Sequence, residues 1–266
     1  DFREDGIRQI AGAFIDTEFS EFPTKPLPNL YIATFTKYLD IFKAPIAFPS
    51  ESVEMPLGRI IAENGKTQLR IAETEKYAHV TYFFNGYREK PFENEFRILV
   101  PSEKVSSHAE KPKMQALEIT ARVTQAIREK SFDFILVNFA NGDMVAHTGN
   151  YEATKIAVKT VDESVGALVR AALENDAALI ITADHGNAES MMNPRTGEYT
   201  NTHDPSPVPI YLVGNEFTRP KNQAEINLAE GEISGILSDI APTVLELLDI
   251  PKPAEITGQS LLKLLQ

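Results

Sequence analysis

Short apolar runs alternate with amphipathic stretches along most of this chain. The spacing of Ile7, Ile10 and Phe14 predicts a helix over 7–14, and the apolar run 30–35 is typical of a strand. The same pattern predicts strands at 79–84, 132–140, 177–183 and 208–213, and helices at 113–129, 151–173 and 239–248. Runs rich in Val, Ile and Phe that alternate with helices indicate an α/β fold with a largely parallel sheet flanked by helices.

A change of pattern near Ser50 indicates a boundary between two parts of the chain. Pro45 and Pro49 interrupt the segment before it, and the alternation of strands and helices begins only after it. We therefore expect a short piece of one α/β domain at 1–50 and a larger part of another at 51–266.

The composition excludes several classes of partner. The 266 residues carry a formal net charge of −12 without a dense run of Lys or Arg, so we expect neither nucleic acid nor an anionic membrane as a partner. No apolar run reaches the length of a membrane span and no signal peptide is visible, which favours a cytoplasmic location. The first residue is Asp rather than Met and the chain opens in amphipathic sequence, so we expect a fragment.

Residues near the ends of three predicted strands have metal-binding chemistry. Asp143 and His147 are four residues apart, a spacing that puts both on one face of a helix. Asp184 and His185 are adjacent after the next strand, and His203 comes just before the last one. Taken one at a time, each has an ordinary structural explanation: a helix cap, a strand-to-turn exit or a hydrogen-bonded histidine.

Together these five residues favour a divalent metal site. The chain has no cysteine, so any metal must use carboxylate and imidazole ligands. In open α/β sheets, sites usually lie beyond the carboxyl ends of the strands. Mn²⁺, Zn²⁺ or Mg²⁺ suits such a ligand set. The other two histidines have structural roles in this interpretation, His79 within a strand and His108 in a polar loop.

The segment 69–86 is charged at Glu73, Glu75 and Lys76 before it enters the strand predicted at 79–84. A run of charge usually marks a solvated surface. Its position at the mouth of a buried strand is unusual for such a surface, and there Lys76 can meet an anionic substrate such as a phosphate.

Four segments of the chain occur in the same order in the cofactor-independent phosphoglycerate mutases: AETEKYAHVTYFFNG, NFANGDMVAHTGN, ITADHGNAE and THDPSPVP. The chain closely resembles the C-terminal half of these enzymes, nearly from end to end. The ADHGN element is shared across the alkaline phosphatase superfamily, whereas AETEKYAHVT is narrower and selects the mutases. A related metal-dependent phosphatase or phosphopentomutase, which would lack that segment, is the alternative among enzymes.

The resemblance implies a metal-dependent mutase that interconverts 3-phosphoglycerate and 2-phosphoglycerate through a phosphoserine intermediate, without 2,3-bisphosphoglycerate. It implies two Mn²⁺ ions, with Zn²⁺, Co²⁺ or Mg²⁺ as substitutes. One ion would be held by Asp143, His147 and His203, and the other in part by Asp184 and His185. Lys76 would lie near the transferring phosphoryl group, and Arg3 would bind the substrate.

Three departures from the family pattern accompany this resemblance. Gly6 stands where the family commonly has a second substrate-binding arginine, and Gly142 replaces a proline. The resemblance implies that the nucleophilic serine and one more Asp ligand lie in an N-terminal segment, which we expect this chain to lack. We therefore expect 1–50 to be the tail of the transferase domain and 51–266 the C-terminal part of the phosphatase-like domain, with an uncovered edge or a gap in the sheet. The missing half would complete the active site, and the complete protein would be a monomer. This chain alone would be a catalytically silent metal-binding fragment.

Overall fold

A computed structural model of the chain describes residues 4–25, 27–39, 41–49, 53–193 and 195–265, with side chains from residue 7 onward. The chain forms two compact units, Asp1–Ser52 and Val53–Gln266.

Within its described residues, the first unit contains one helix and little regular structure after it. Helix α1 spans Glu4–Ile15, which confirms the predicted helix. The strand predicted at 30–35 is wrong, because within the described residues only Thr34 pairs there, in a single parallel bridge with Ile46. The amide of Thr34 donates to the carbonyl of Pro45 over 2.9 Å. Because Pro45 has no N–H of its own, the ladder on that side cannot extend through it.

The second unit contains the other helices and all the strands of the described chain. The helices are α2 (Leu57–Glu63), α3 (Ala116–Glu129), α4 (Asn141–Ala146), α5 (Tyr151–Glu174), α6 (Gln223–Gly231), α7 (Ile240–Leu247) and α8 (Leu262–Leu265). The strands are β1 (Gln68–Glu73), β2 (Glu95–Val100), β3 (Phe134–Val137), β4 (Leu179–Thr182) and β5 (Ile210–Val213).

Strand β1 is the centre of a three-stranded parallel sheet with the order β2-β1-β3. Gln68 pairs with Glu95 on one side and with Phe134 on the other. All six residues of β1 are buried, and Ile71 packs in an apolar cluster with residues of β2, α3 and α5. This core holds the carboxyl end of β1, where Glu73 lies, in a fixed place.

Helices cover both faces of this sheet, as the fold class predicts. Phe134 packs against the cluster formed by α2 and α7, whereas its neighbour Ile135 packs against the cluster of α3 and α5. Adjacent residues of a strand point to opposite faces, so the two helix pairs lie on opposite sides. The α/β architecture is therefore confirmed.

Strands β4 and β5 form a separate antiparallel pair, with Leu179 opposite Val213. Within the described ranges, β3 and β4 have no partner on the sides that would join the two sheets. The residues of β3 and β4 are half-buried or exposed, unlike those of β1. Within the described ranges, the two sheets are therefore not joined by any strand pairing.

The strand predicted at 79–84 is wrong. A 3₁₀ turn at Thr74–Lys76 is followed by one wide turn of π-helix at His79–Phe83. Thr81 accepts a backbone hydrogen bond from Asn85 and donates its hydroxyl to the carbonyl of Tyr77, so the backbone bonds stay within the turn. His79, predicted to be a structural group in a strand, is an exposed residue. The centroid of its ring lies 5.3 Å from that of Phe83.

The helices predicted from long apolar periodicity are confirmed, with shifts at their ends. The prediction of 151–173 corresponds to α5, and 239–248 corresponds to α7. The helix predicted from 113 begins only at Ala116, because Lys113 to Gln115 form a turn in which Met114 has a φ of 42°. His108, predicted in a loop, lies in a short 3₁₀ turn, 3.6 Å from Glu75.

None of the helices described is both long enough and apolar enough to cross a membrane.

Candidate metal centre

Four segments of the second unit meet at one edge of the strands. Lys76 follows β1, and Asp143 lies in the first turn of α4 after β3. His185 follows β4. His203 precedes β5, and because β5 runs antiparallel to β4, its beginning lies beside the end of β4. The Gly186–Asp204 bridge joins these last two segments directly.

Asp143, His147 and His203 form a nearly equilateral triangle of possible ligand atoms. Asp143 Oδ1 lies 3.0 Å from His147 Nε2 and 3.1 Å from His203 Nε2. The two Nε2 atoms are 3.0 Å apart. Atoms that each lie about 2.0–2.2 Å from one ion are about 3.0–3.5 Å from each other. The three side chains therefore fit a single divalent cation.

His185 belongs to the same cluster, whereas Asp184 lies at its rim. Asp143, His185 and His203 each offer a ligand atom within 4.8 Å of the others, and the rings of His185 and His203 stack with centroids 3.7 Å apart. The carboxylate of Asp184 is 62% exposed and lies 3.5 Å from His185 Nε2. The structure therefore brings four of the five predicted ligands together. The fifth, Asp184, contacts this cluster through the ring of His185.

A backbone carbonyl fixes the orientation of His147. Its Nδ1 lies 2.7 Å from the carbonyl oxygen of Asn201, which can only accept a hydrogen bond, so Nδ1 carries the proton. The lone pair of a neutral ring is then on Nε2, the atom that faces Asp143 and His203. This is the tautomer that a metal ligand needs.

Lys76 pairs with the other oxygen of the same carboxylate. Its Nζ donates to Asp143 Oδ2 over 2.5 Å, and the two side chains are 10% and 13% exposed. Asn187 donates to Oδ1 over 2.8 Å. Burial raises the pKa of Asp143, but the hydrogen bonds from Lys76 and Asn187 and the charge of Lys76 outweigh it and hold the pKa well below the usual range. Asp143 is therefore charged at neutral pH.

His203 is the most exposed of the clustered histidines, at 41% of its side chain. Burial and the nearby His185 lower its pKa, which favours the neutral ring. A neutral imidazole is the form that binds a cation.

Two residues of the site were not predicted as contributors, Asn187 and Asn201. Asn187 is part of the quoted ADHGN element, and its position two residues after His185 is the one signal that could have identified it. Asn201 acts through its backbone carbonyl, which has no side-chain signature. Arg3, predicted to bind substrate, lies outside the described residues.

Comparison with known protein families identifies a superfamily for this chain. A family model described as "Metalloenzyme superfamily" matches residues 16–252, which includes every predicted metal ligand and Lys76. The chain belongs to the metalloenzyme superfamily. Arg3 precedes the matched range.

Individual proteins of known sequence are similar to this superfamily member over nearly its whole length. It is 48% identical over 263 residues to the 2,3-bisphosphoglycerate-independent phosphoglycerate mutase of Pseudomonas entomophila, covering 98% of this chain and 49% of that protein. It is 47% identical over 262 residues to the enzyme of the same name from Thermosynechococcus vestitus, again covering 98% and 49%. The chain thus spans about half the length of these relatives.

A solved structure is also similar to this chain over nearly its whole length. The phosphoglycerate mutase of Leishmania mexicana, crystallised at low cobalt concentration, aligns with a TM-score of 0.75 and 26% sequence identity. The alignment covers 94% of this chain and 47% of that one. The expected resemblance to one half of a cofactor-independent phosphoglycerate mutase is therefore confirmed in sequence and in fold.

Proposed function

We propose that this chain carries the metal-binding part of a phosphoglycerate mutase that interconverts 3-phosphoglycerate and 2-phosphoglycerate through a phosphoserine, without 2,3-bisphosphoglycerate. The names of its relatives support this reaction. The observation that carries the proposal is the shared carboxylate of Asp143, which faces two histidines through Oδ1 and Lys76 through Oδ2. A cation site and a buried ammonium next to each other suit a substrate with a phosphoryl group.

We assign two Mn²⁺ ions to this site. Asp143, His147 and His203 would hold one, and Asp184 and His185 would supply part of the shell of the other. When bound, such ions neutralise charge on phosphoryl oxygens and lower the pKa of an attacking hydroxyl. The donor set of carboxylates and imidazoles fits Mn²⁺, and also Zn²⁺ or Co²⁺.

The residues of this chain would bind and orient the phosphoryl group. Lys76 keeps Asp143 charged and turned so that Oδ1 remains available to a cation. Its ammonium has three donors, so contact with Asp143 leaves others for a phosphoryl or leaving-group oxygen. The carbonyl of Asn201 keeps the proton of His147 on Nδ1, away from the ligand atom.

The remaining parts of the reaction belong, in this proposal, to the half of the relatives that the chain does not match. That half would supply the nucleophilic serine, a further Asp ligand and a strand that completes the sheet. We assign 1–50 to the end of the substrate-binding transferase domain, with Arg3 as a substrate ligand, and 51–266 to the phosphatase-like domain. The complete enzyme is proposed to be a cytoplasmic monomer.

The test is an assay of the complete polypeptide that carries this sequence. With 3-phosphoglycerate and Mn²⁺, formation of 2-phosphoglycerate is followed with excess enolase. We expect turnover that a chelator abolishes and that Mn²⁺ restores. Asp143→Asn should lose it, whereas Glu118→Gln, which removes an exposed ion pair with Arg122 on α3, should keep it.

Two results would contradict the proposal. One is turnover of phosphoglycerate that is insensitive to the chelator. The other is turnover of pentose phosphates or aryl phosphates with none of phosphoglycerate, which would favour a phosphopentomutase or phosphatase. The 266-residue chain alone should show no turnover, because the serine is assigned elsewhere.

A further inference from the structure

The segment 199–204, which we call the strap, lies between two other segments of the metal centre. On one side it is bonded to the chain that follows β4. Asp204 donates its amide to the carbonyl of Gly186 over 2.8 Å and accepts the amide of Gly186 over 3.1 Å. Thr200 donates its amide to the carbonyl of Met191 over 2.7 Å. These three hydrogen bonds fix this side of the strap.

On its other side, the strap meets the connection between α4 and α5. The carbonyl oxygen of Asn201 lies 2.7 Å from His147 Nδ1, and Asn201 Nδ2 donates to the carbonyl of His147 over 3.4 Å. The rings of Tyr199 and Tyr151 lie with their centroids 6.4 Å apart and their planes inclined by 32°. The ring pair therefore attaches the strap to this connection without using His147.

Tyr151 has a fixed position because it is the first residue of α5. Asn150 caps that helix through its side chain, which accepts the amide of Ala153 over 3.0 Å. The hydroxyl of Thr148 donates to the carbonyl of Val145 in α4 over 2.6 Å. The connection is thus bonded to both helices, and its tyrosine can serve as a support for the strap.

The ring pair can open without unfolding the unit. Tyr151 and Tyr199 are 40% and 59% exposed. The attraction between two rings at this separation shifts a local equilibrium by about two- to tenfold. Loss of such an exposed contact should leave the unit folded and raise the fraction of molecules whose strap is detached.

We propose that Tyr199 and Tyr151 are positioning residues that hold the strap in place, and thereby keep the carbonyl of Asn201 on His147 and His203 beside it. Neither tyrosine is among the candidate metal ligands. The pair acts through the segment that carries His203, whose Nε2 lies 3.0 Å from that of His147. The consequence for metal binding rests on the proposed Mn²⁺ sites, whereas the orientation of His147 can be measured without metal.

The experiment determines the tautomer of His147 from NMR of its ring nitrogens, in the metal-free chain and at a pH at which the ring is neutral. The parent should carry the proton on Nδ1, because the bond to Asn201 selects that tautomer. In Tyr199→Ala, the ratio of the Nδ1–H to the Nε2–H tautomer should fall by about two- to tenfold. Tyr199→Phe keeps the ring and should restore the ratio.

A matched control removes a similar ring contact at the other end of the sheet. Phe96, at the amino end of β2, is 53% exposed and lies 5.5 Å from Phe132 between ring centroids. Phe96→Ala should leave the tautomer ratio of His147 unchanged. Tyr151→Ala should lower the ratio as Tyr199→Ala does, and the double variant should lower it no further, because each change breaks the same contact.

Titration calorimetry with Mn²⁺ extends the test to the proposed metal sites. Tyr199→Ala should weaken binding by about two- to tenfold, whereas Tyr199→Phe and Phe96→Ala should bind as the parent does.

The proposal is overturned if Tyr199→Ala keeps the parent tautomer ratio of His147, or if the effects of the two tyrosine variants add. It is also overturned if Phe96→Ala shifts the ratio as much. A tautomer shift in a chain that binds no Mn²⁺ would support the strap and contradict the metal assignment. Mn²⁺ binding in the parent without any effect of the tyrosine variants would do the reverse, so the two proposals fail separately.

Discussion

The two sheets of the second unit contribute differently to the metal centre. Strand β1 is buried along its whole length. Near its carboxyl end, the side chains of the Lys76–Asp143 pair are only 10% and 13% exposed. On the side of β4 and β5, the strands are half-exposed, and the side chains of His203 and Asp184 are 41% and 62% exposed. One half of the centre is therefore embedded in a core, and the other half lies at a surface.

This difference indicates which half is formed before a metal arrives. The buried half has its charges paired and its backbone fixed by the packing around β1. The exposed half is connected mainly by the Gly186–Asp204 bridge and by ring stacking between histidines. We therefore expect a cation to find Asp143 already oriented and to order the His185 and His203 segments as it binds.

The largest effect should come from the core under β1. Ile71→Ala removes a fully buried side chain and should lower the free energy of unfolding by about 2–5 kcal/mol. Tyr211→Ala on β5, where the side chain is 54% exposed, should lower it by less than about 1 kcal/mol. Urea denaturation of both variants measures the difference. Equal losses would mean that the two sheets are equally important for stability.

Metal affinity should depend far more on Asp143 than on Asp184. Asp143→Asn removes the charge shared by the triangle of ligand atoms and should weaken Mn²⁺ binding by about 100-fold or more, about 2.7 kcal/mol. Asp184→Asn, at the exposed rim, should weaken the tighter of the two proposed sites by less than about tenfold. Isothermal titration of each variant checks this order. A reversed order would mean that the second ion site is the stronger one.

Mn²⁺ should stabilise the exposed half selectively. At a free concentration about 100 times its dissociation constant, a ligand that binds only the folded state adds about 2.7 kcal/mol to the free energy of unfolding. We expect the added protection from hydrogen exchange to be largest at the amides of Gly186 and Asp204, which bond to each other's carbonyls. The amide of Ile71 in β1 should change only with global stability. Protection spread evenly over both sheets would contradict the contrast.

The smallest effect concerns the pH dependence of the buried half. Burial raises the pKa of Glu73, and hydrogen bonds from Ser102 and Gln115 offset this only in part. The folded pKa lies above the unfolded value, so the contribution of Glu73 to stability is full below the unfolded pKa and is lost as the pH rises through the folded pKa. Glu73→Gln does not titrate there. Its free energy of unfolding, measured by urea denaturation, should therefore improve relative to the parent as the pH rises above the ordinary pKa of a glutamate. A difference that is independent of pH would show that the pKa of Glu73 is not raised.

The elements predicted correctly are those whose periodicity the core determines. The apolar positions of α5 and α7 repeat at helical spacing because those helices face a core on one side. Apolar periodicity did not identify β1 as a strand, because Gln68 and Arg70 are polar and yet fully buried. The guanidinium of Arg70 lies 4.2 Å from the ring centroid of Phe84 and 5.2 Å from that of Phe134. Such burial depends on partners that are distant in the sequence, so no local pattern shows it.

The run at 79–84 was mistaken for a strand for a related reason. Its aromatic residues are enriched in strands generally, but here they contact each other within a turn, with the rings of Tyr82 and Phe83 5.1 Å apart. The charged residues before it, rather than the apolar run itself, form the end of the central strand and the turn that carries Lys76. Periodicity alone does not separate a short apolar strand from a short helical turn.

The clustering of the candidate ligands was predicted better than the strands around them. Asp143 and His147 were found because helical spacing and strand-end position both follow from the sequence, and the structure brings them within 3.0 Å. The supporting contacts were not found. The carbonyl of Asn201 and the amide of Asn187 act on the ligands across 54 and 44 residues of chain, and such distances are set by the fold.

The most direct test of the account is the position of Mn²⁺ in crystals of this chain, found from anomalous diffraction. The account predicts a strong peak about 2.0–2.2 Å from Asp143 Oδ1, His147 Nε2 and His203 Nε2, with Lys76 still on the other oxygen of Asp143. A peak held by other residues while these three atoms remain uncoordinated would contradict it, as would the absence of any peak at saturating Mn²⁺.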